Sequence, residues 1–129
     1  LCTLCASNHA IFGQSAKLAP MLSDSTISLI RQFTRERNWD QFDTPENLAK
    51  CISIESAELL ECYQWSNTPR DNDINHVQEE LSDVLIYCIM LAEKLNCDLD
   101  EIVRDKMAKN RQKYPVAKAY GNSGKYRNL

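Results

Sequence analysis

TPENLAKCISIESAELLECYQW, residues 44–65, is the stretch that decides the fold, because it has the pattern of one amphipathic helix. Thr44 is a favourable N-cap residue, and Pro45 suits the first helical position, where its missing N–H would have no partner. At 100° per residue, one apolar face forms from Leu48, Cys51, Ile52, Leu59 and Cys62. Glu55 falls near the centre of this face and Glu58 on its flank. The stretch therefore predicts a core-facing helix with two acids on its buried side, which ends near Gln64 or Trp65.

A second segment with the same character predicts the partner helix, capped by Asp71 and running to about Leu95. Its apolar face consists of Val77, Leu81, Val84, Cys88, Leu91 and Leu95, with Glu80 and Asp83 along one margin. In each helix the two acids are three residues apart, so they project from one face about one turn apart. The polar residues 66–72 predict a turn, which makes the two helices an antiparallel hairpin. In that hairpin residue 58 faces 80 and residue 55 faces 83.

The four acids predict a cation site. Carboxylates on a core-facing surface are costly unless a cation or hydrogen bonds compensate them. Four mutually repelling carboxylates at one level of a helix pair are typical of a hard-cation site for Mg2+, or for Mn2+. The alternative is that the pairs lie on ordinary solvated helix faces. The combination of two pairs on apolar faces favours the metal site over that alternative.

Two further helices complete the predicted fold. The first starts at Ser23 or Asp24 and runs to about Asn38, with Ile27, Ile30 and Phe33 on its buried side. The last opens at Asp98 and ends before Pro115, and its inner face consists of Leu99, Ile102, Val103 and Met107. No strand pattern is found. We therefore expect an all-α fold, a four-helix bundle of antiparallel helices at residues 23–115. Residues 1–22 are expected to be a poorly ordered N-terminal extension or leader, and residues 116–129 a basic C-terminal tail.

Composition and charge narrow the class of protein. The chain has 129 residues, 43% of them apolar and 26% charged, which fits one compact helical domain. Its net charge is −3, but eight Lys/Arg against one acid give +7 from Arg104 onward and leave −10 for residues 1–103. An acidic body of this kind argues against duplex nucleic acid and suits a small anion bridged to the acids by metal. No apolar stretch reaches membrane-spanning length, so no membrane partner is expected. Cysteines on apolar helix faces indicate a reducing, cytoplasmic location.

Several other side chains are candidates for substrate binding. Trp39 and Trp65 lie at helix–loop boundaries, where each either closes the end of the bundle or stacks on a nucleobase. Tyr87 follows Glu80 by two helical turns and Asn110 follows the apolar face of the last helix, so each is either a core residue or part of a pocket wall. The basic residues near the C-terminus are either solvated or balance phosphate charge. His76 lies off the apolar face and is expected to be solvated.

The spacing Glu55-x-x-Glu58, then 21 residues, then Glu80-x-x-Asp83 resembles the signature of the MazG-like all-α nucleoside triphosphate pyrophosphohydrolases, and most closely that of the dCTP pyrophosphatases. The resemblance covers about residues 25–127. Its matching stretches are Glu36-Arg-Asn-Trp39 with Gln41-Phe42, Glu58-Leu-Leu-Glu61 running to Gln64-Trp65, residues 79–87, Lys106-Met107 with Asn110-Arg111 and Tyr114-Pro115, and Lys125-Tyr126. One position departs from the pattern, since Ile30 stands where dCTP pyrophosphatases tend to carry a histidine.

The resemblance implies a function for these residues. It implies that Glu55, Glu58, Glu80 and Asp83 are catalytic Mg2+ ligands, and that dCTP or a related dNTP is hydrolysed to dNMP and pyrophosphate. It also implies a homodimer or homotetramer. The substrate-binding residues that it implies are Trp39, Trp65, Tyr87 and Asn110 for base and sugar, and Lys106, Arg111, Lys125 and Tyr126 for phosphate. Two alternatives stay open at this point: the same reaction on another canonical or modified nucleotide, and a non-catalytic helical nucleotide-binding module.

Overall fold

The computed structural model describes residues 22–125, in which helices are joined by turns and loops and no strand occurs. The helices are α1 (Asp24–Glu36), α2 (Pro45–Glu61), α3 (Ile74–Lys94), α4 (Leu99–Lys113) and α5 (Val116–Ala119), with a 3-10 turn at Arg70–Asn72. The all-α prediction is therefore confirmed. The one-turn helix α5 lies in the segment that the sequence predicted as a tail, and the pattern did not indicate it. Tyr126 and, apart from Leu22, the predicted N-terminal extension lie outside the described residues.

Local side-chain caps explain where the helices begin. The hydroxyl of Ser23 accepts from the backbone N–H of Thr26 at the start of α1, and the hydroxyl of Thr44 accepts from that of Asn47 at the start of α2. The predicted cap of α3 was wrong. Asp73, not Asp71, caps this helix by accepting from the N–H of His76 at 3.0 Å. Asp71 instead has φ 55° within the 3-10 turn, a left-handed conformation that a cap residue does not adopt.

The turn between α2 and α3 begins earlier than the sequence predicted. Helix α2 ends at Glu61, and residues 62–65 form turns. The backbone N–H of Arg70 donates to the carbonyl of Cys62 at 2.9 Å, which closes the loop. Arg70 also forms an ion pair with Glu61, with 3.2 Å between Nη2 and Oε1. These contacts bring the end of α2 next to the start of α3.

Helices α2 and α3 pack against each other as the central pair of the unit formed by residues 22–99. Its buried apolar side chains are Leu48, Cys62, Ile89 and Ala92. Helix α1 is attached to α3 by a side-chain hydrogen bond from Arg31 Nε to Glu93 Oε1, 2.6 Å long. The acids near the middle of α2 and α3 are therefore held by the best-packed part of the chain.

Residues 100–125 belong to a second compact unit. The predicted inner face of α4 is exposed here, since Ile102, Val103 and Met107 are each 44% exposed or more. A helix pattern shows which face is apolar, but it does not show whether that face is covered within one chain. Within residues 22–125, none of the helices is both long enough and apolar enough to cross a bilayer.

Candidate active site

Three acids from α2 and α3 converge at one place. Glu55, Glu80 and Asp83 each offer a carboxylate oxygen, and these three oxygens lie within 4.8 Å of one another. The register of the hairpin explains this convergence. One turn before Glu55, Cys51 lies close enough to Tyr87, one turn after Asp83, to contribute to the raised pKa of the Tyr87 phenol. Because α2 and α3 run in opposite directions, Glu55 then lies opposite Asp83, and Glu80 lies one turn before Asp83 in α3.

The acid cluster, which is Glu55, Glu80 and Asp83, concentrates negative charge. Burial raises the pKa of the Glu55 carboxyl, and the charges of Glu58, Asp83 and Glu80 raise it further. Each cause disfavours the ionised form of Glu55. The three carboxylates can all be ionised at low cost only if a positive charge joins them.

Glu80 supplies the observation that tests whether a metal fits. The residue is 9% exposed, and its Oε2 atom has no hydrogen-bond partner among the described residues. Its other oxygen, Oε1, lies 3.4 Å from Nδ1 of His76. An unpartnered buried carboxylate oxygen is costly, and a hard divalent cation such as Mg2+ prefers oxygen ligands of this kind. The donor set of the acid cluster therefore fits a divalent cation.

Glu58 lies beside the acid cluster rather than within it. Together with Glu80 it lines a neighbouring cavity of about 460 Å³, which also contacts Glu61, Asp73 and His76. Glu58 is exposed, whereas Glu55 is half-buried. The structure thus brings three of the four predicted ligands together and sets the fourth on an adjoining wall.

An apolar cleft of about 440 Å³ opens on the other side of the acid cluster. Asp83 belongs to both, and the remaining lining residues are mostly apolar or aromatic: Leu29, Ile30, Phe33, Thr34, Trp39, Asp43, Ile86, Tyr87 and Met90. Trp39 packs edge-on against Phe33 with ring centroids 5.8 Å apart, and the guanidinium of Arg37 lies 3.6 Å from the centroid of Phe33. Burial raises the pKa of Tyr87, and nearby Cys51, Glu55 and Asp83 add to that rise. The cleft is large enough for a nucleoside and has the apolar walls typical of small-molecule sites.

The other predicted substrate-binding residues do not all meet at this cleft. Trp65 is 85% exposed and lines a different cavity, beside Glu61 and Arg70. Lys106, Asn110 and Arg111 lie on α4, and Lys125 follows α5. The three basic residues are exposed: Lys106, Arg111 and Lys125. Asn110 is half-buried, and its Nδ2 atom lies 4.0 Å from Sδ of Met107. Their roles in substrate binding stay predictions, and Tyr126 lies outside the described residues.

Two contacts at the site were not indicated by the sequence pattern. His76 is exposed, as expected, but its Nδ1 atom also lies 3.4 Å from Oε1 of Glu80; its position four residues before Glu80 on one helix is the signal that could have indicated this contact. Asp43 lines the apolar cleft from the loop between α1 and α2. No periodic pattern covers that loop, so the sequence carried no signal for Asp43.

Comparison with known families now identifies the fold. The model of the MazG-like family matches residues 50–129, which include all four predicted acids. The chain belongs to the MazG-like family. Its MazG-like relatives include dCTP pyrophosphatase 1 from Mus musculus, which is 40% identical over 107 residues covering 76% of this chain and 62% of the relative. The Homo sapiens protein of the same name has the same identity and coverage. The chain thus spans 62% of the length of these two MazG-like relatives.

Two further comparisons extend the MazG-like match. The chain is 38% identical to dCTP pyrophosphatase 1 from Bos taurus over 120 residues, which cover 83% of this chain and 70% of the relative. Among solved structures, a pyrophosphatase from Archaeoglobus fulgidus matches with a TM-score of 0.66 and 39% identity. That match covers 70% of this chain and 90% of the other. The MazG-like assignment therefore rests on sequence and on three-dimensional structure.

Proposed function

We propose that this protein is a divalent-cation-dependent nucleoside triphosphate pyrophosphohydrolase, which hydrolyses dCTP or a related dNTP to dNMP and pyrophosphate. The observation that carries the proposal is the double role of Asp83, which belongs both to the acid cluster and to the apolar cleft. A ligand in the cleft therefore has an apolar end beside Trp39 and Tyr87 and a charged end beside the acids. A metal-bound nucleotide has this combination of parts.

The acid cluster supplies the ligands for Mg2+, or for Mn2+, in the proposed reaction. Glu55, Glu80 and Asp83 hold the cation, and Glu58 extends the acidic wall toward the neighbouring cavity. When bound, the cation neutralises phosphate charge and lowers the pKa of a coordinated water. The buried Oε2 of Glu80 supports this assignment because none of residues 22–125 donates a hydrogen bond to it.

The cleft residues orient the substrate in the proposed reaction. Trp39 and Tyr87 offer aromatic surfaces for the nucleobase, and base–aromatic stacking is sequence-tolerant unless a polar group also contacts the base edge. Nδ1 of His76 lies 3.4 Å from one oxygen of Glu80, and the other oxygen of Glu80 is the one that would bind the cation. The relatives from Mus musculus and Homo sapiens are dCTP pyrophosphatases, which supports dCTP as the first substrate to test.

We also propose that the protein works as a homodimer or homotetramer in the cytoplasm. Apolar side chains that are exposed on α4, including Val103 and Met107, support an interface with a second copy of the chain. Free thiols at Cys51, Cys62, Cys88 and Cys97 support a reducing compartment.

Product analysis tests the proposed reaction. The full chain is incubated with dCTP, dUTP, dTTP, dATP and dGTP in the presence of Mg2+, and parallel samples receive EDTA. We expect equimolar monophosphate and pyrophosphate from dCTP or a related dNTP, and none with EDTA. Release of a diphosphate with inorganic phosphate would contradict the proposed bond cleavage, and the absence of any product with Mg2+ would contradict the proposed catalysis.

A further inference from the structure

The loop between α1 and α2 holds Asp43 at the wall of the apolar cleft by a series of backbone hydrogen bonds. The N–H of Trp39 donates to the carbonyl of Thr34 at 3.0 Å, and the N–H of Phe42 donates to the carbonyl of Trp39 at 2.8 Å. The side-chain amide of Asn47 then donates to the carbonyl of Phe42 at 2.9 Å. Asp43 follows directly, so its position is fixed by the same contacts that place Trp39.

The carboxylate of Asp43 is an acceptor that lacks a donor. It is half-buried, and none of residues 22–125 donates a hydrogen bond to it. Burial raises the pKa of Asp43; the positive charge of Lys94 opposes that rise and the charge of Asp40 adds to it. A desolvated carboxylate in a mostly apolar cleft is costly unless a ligand supplies the missing donor.

Asp43 lies toward the end of the cleft that is remote from the acid cluster. The cleft contacts α3 at Asp83, Ile86, Tyr87 and Met90, and Met90 is seven residues, or roughly 10 Å, beyond Asp83. Lys94, one further turn along α3, is close enough for its positive charge to lower the pKa of Asp43. A nucleotide whose phosphates lie at the acid cluster therefore extends its base toward Asp43.

Building on the proposed function, we propose that Asp43 is a specificity-determining residue, whose carboxylate accepts a hydrogen bond from the exocyclic amino group of the base. Ionised carboxylates only accept, and acceptance from the 4-amino group of cytosine is the pairing that aspartate and glutamate favour. Uracil and thymine carry an oxygen at that position, which would face Asp43 as a second acceptor. Asp43 thus selects cytosine over uracil and thymine.

Two matched substrate pairs test this role. dCTP against dUTP, and 5-methyl-dCTP against dTTP, differ in the same way at the base edge, with an amino group and a ring acceptor replaced by an oxygen and a ring N–H. For the wild-type chain with Mg2+ we expect kcat/KM to favour the amino-bearing member of each pair by about tenfold or more. In Asp43→Asn the ratio should fall by about tenfold or more, because an amide can donate to the oxygen. Asp43→Ala should lower the ratio as well, since it removes the acceptor.

Asp40→Asn is the matched control. Asp40 lies on the same loop and is exposed. It lines an adjoining charged cavity with Arg31 and Glu93, which Asp43 also lines, but unlike Asp43 it does not line the apolar cleft. In Asp40→Asn, the ratio of kcat/KM between the two members of each substrate pair should equal that of the wild type. Because each ratio compares two substrates on one preparation, a variant that folds only in part still gives a valid ratio.

The outcomes separate this role from the proposed function. Unchanged ratios in both Asp43 variants, or a wild-type preference for dUTP and dTTP, would overturn the role of Asp43 while leaving the enzyme intact. No pyrophosphate from any of the four nucleotides with wild-type protein and Mg2+ would overturn the proposed function, and the role of Asp43 with it.

Discussion

His76 and Glu80 are neighbours across one turn of α3, with 3.4 Å between Nδ1 of the imidazole and Oε1 of the carboxylate. The second oxygen of Glu80 is buried and finds no hydrogen-bond partner anywhere in the described part of the chain. One oxygen is thus positioned by a neighbour while the other is left for a ligand. This division supports Glu80 as the acid whose replacement reports most clearly on metal binding.

Glu80→Gln should abolish activity without destabilising the metal-free protein. The change removes one of three mutually repelling carboxylates, so the melting temperature without metal should stay equal or rise. Turnover of dCTP should fall at least about a hundredfold, and the stabilisation by Mg2+ should disappear. Calorimetry with and without Mg2+ checks this. Glu79→Gln, an exposed acid one position earlier, is the control and should behave as wild type. Mg2+ stabilisation that persists in Glu80→Gln would exclude Glu80 as a ligand.

The stabilisation by Mg2+ should grow as pH rises. The pKa of Glu55 is raised above its ordinary value of 4.5, so its proton stabilises the metal-free fold below that pH, and this contribution is lost as pH rises through the raised pKa. A bound cation reverses the penalty only once Glu55 is ionised. The melting temperature is measured with and without Mg2+ from pH 4 to pH 8. The difference between the two values should increase with pH and then level off. An equal difference at both ends of this range would argue against Glu55, and Glu55→Gln should flatten the dependence.

Trp39→Ala should weaken substrate binding. Stacking of one base on an aromatic side chain contributes roughly 1–3 kcal/mol, so the KM for dCTP should rise by about fivefold to a hundredfold. In Trp39→Phe the KM should return part of the way toward the wild-type value. A role of Trp39 that is limited to packing against Phe33 would not require this recovery. Tyr120→Ala is the control, because Tyr120 is 89% exposed and does not line the apolar cleft. A KM that is unchanged in Trp39→Ala would exclude stacking on Trp39.

An interface at α4 should set the oligomeric state. Val103 and Met107 are one turn apart on the same face and are both exposed, so a second copy of the chain is expected to cover them. Light scattering should give twice or four times the chain mass of 14.8 kDa. Val103→Glu should shift the mass downward, whereas Val116→Glu, at an exposed position on α5, should leave it unchanged. A wild-type mass of one chain would contradict the proposed assembly.

The hairpin could be predicted from the sequence because its signals are local. The caps at Ser23 and Thr44 and the helical periods of α2 and α3 fix the elements, and the length of the turn brings Glu55 opposite Asp83. The cap of α3 was harder, because both Asp71 and Asp73 are suitable residues and only the backbone conformation distinguishes them. Asp43 could not be predicted, since its place in the cleft depends on how the loop packs against α3.

We propose that the acid cluster of Glu55, Glu80 and Asp83 holds the cation on which nucleotide hydrolysis depends. The most direct measurement is a titration of wild-type protein and Asp83→Asn with Mn2+, followed by electron paramagnetic resonance, with dCTP turnover assayed on the same samples. We predict that the wild-type chain binds Mn2+ and releases pyrophosphate in proportion to the bound metal, and that Asp83→Asn loses both. Full turnover by Asp83→Asn would exclude Asp83 as an essential ligand of the cation. Wild-type turnover without bound metal would show that hydrolysis does not depend on a cation at the acid cluster.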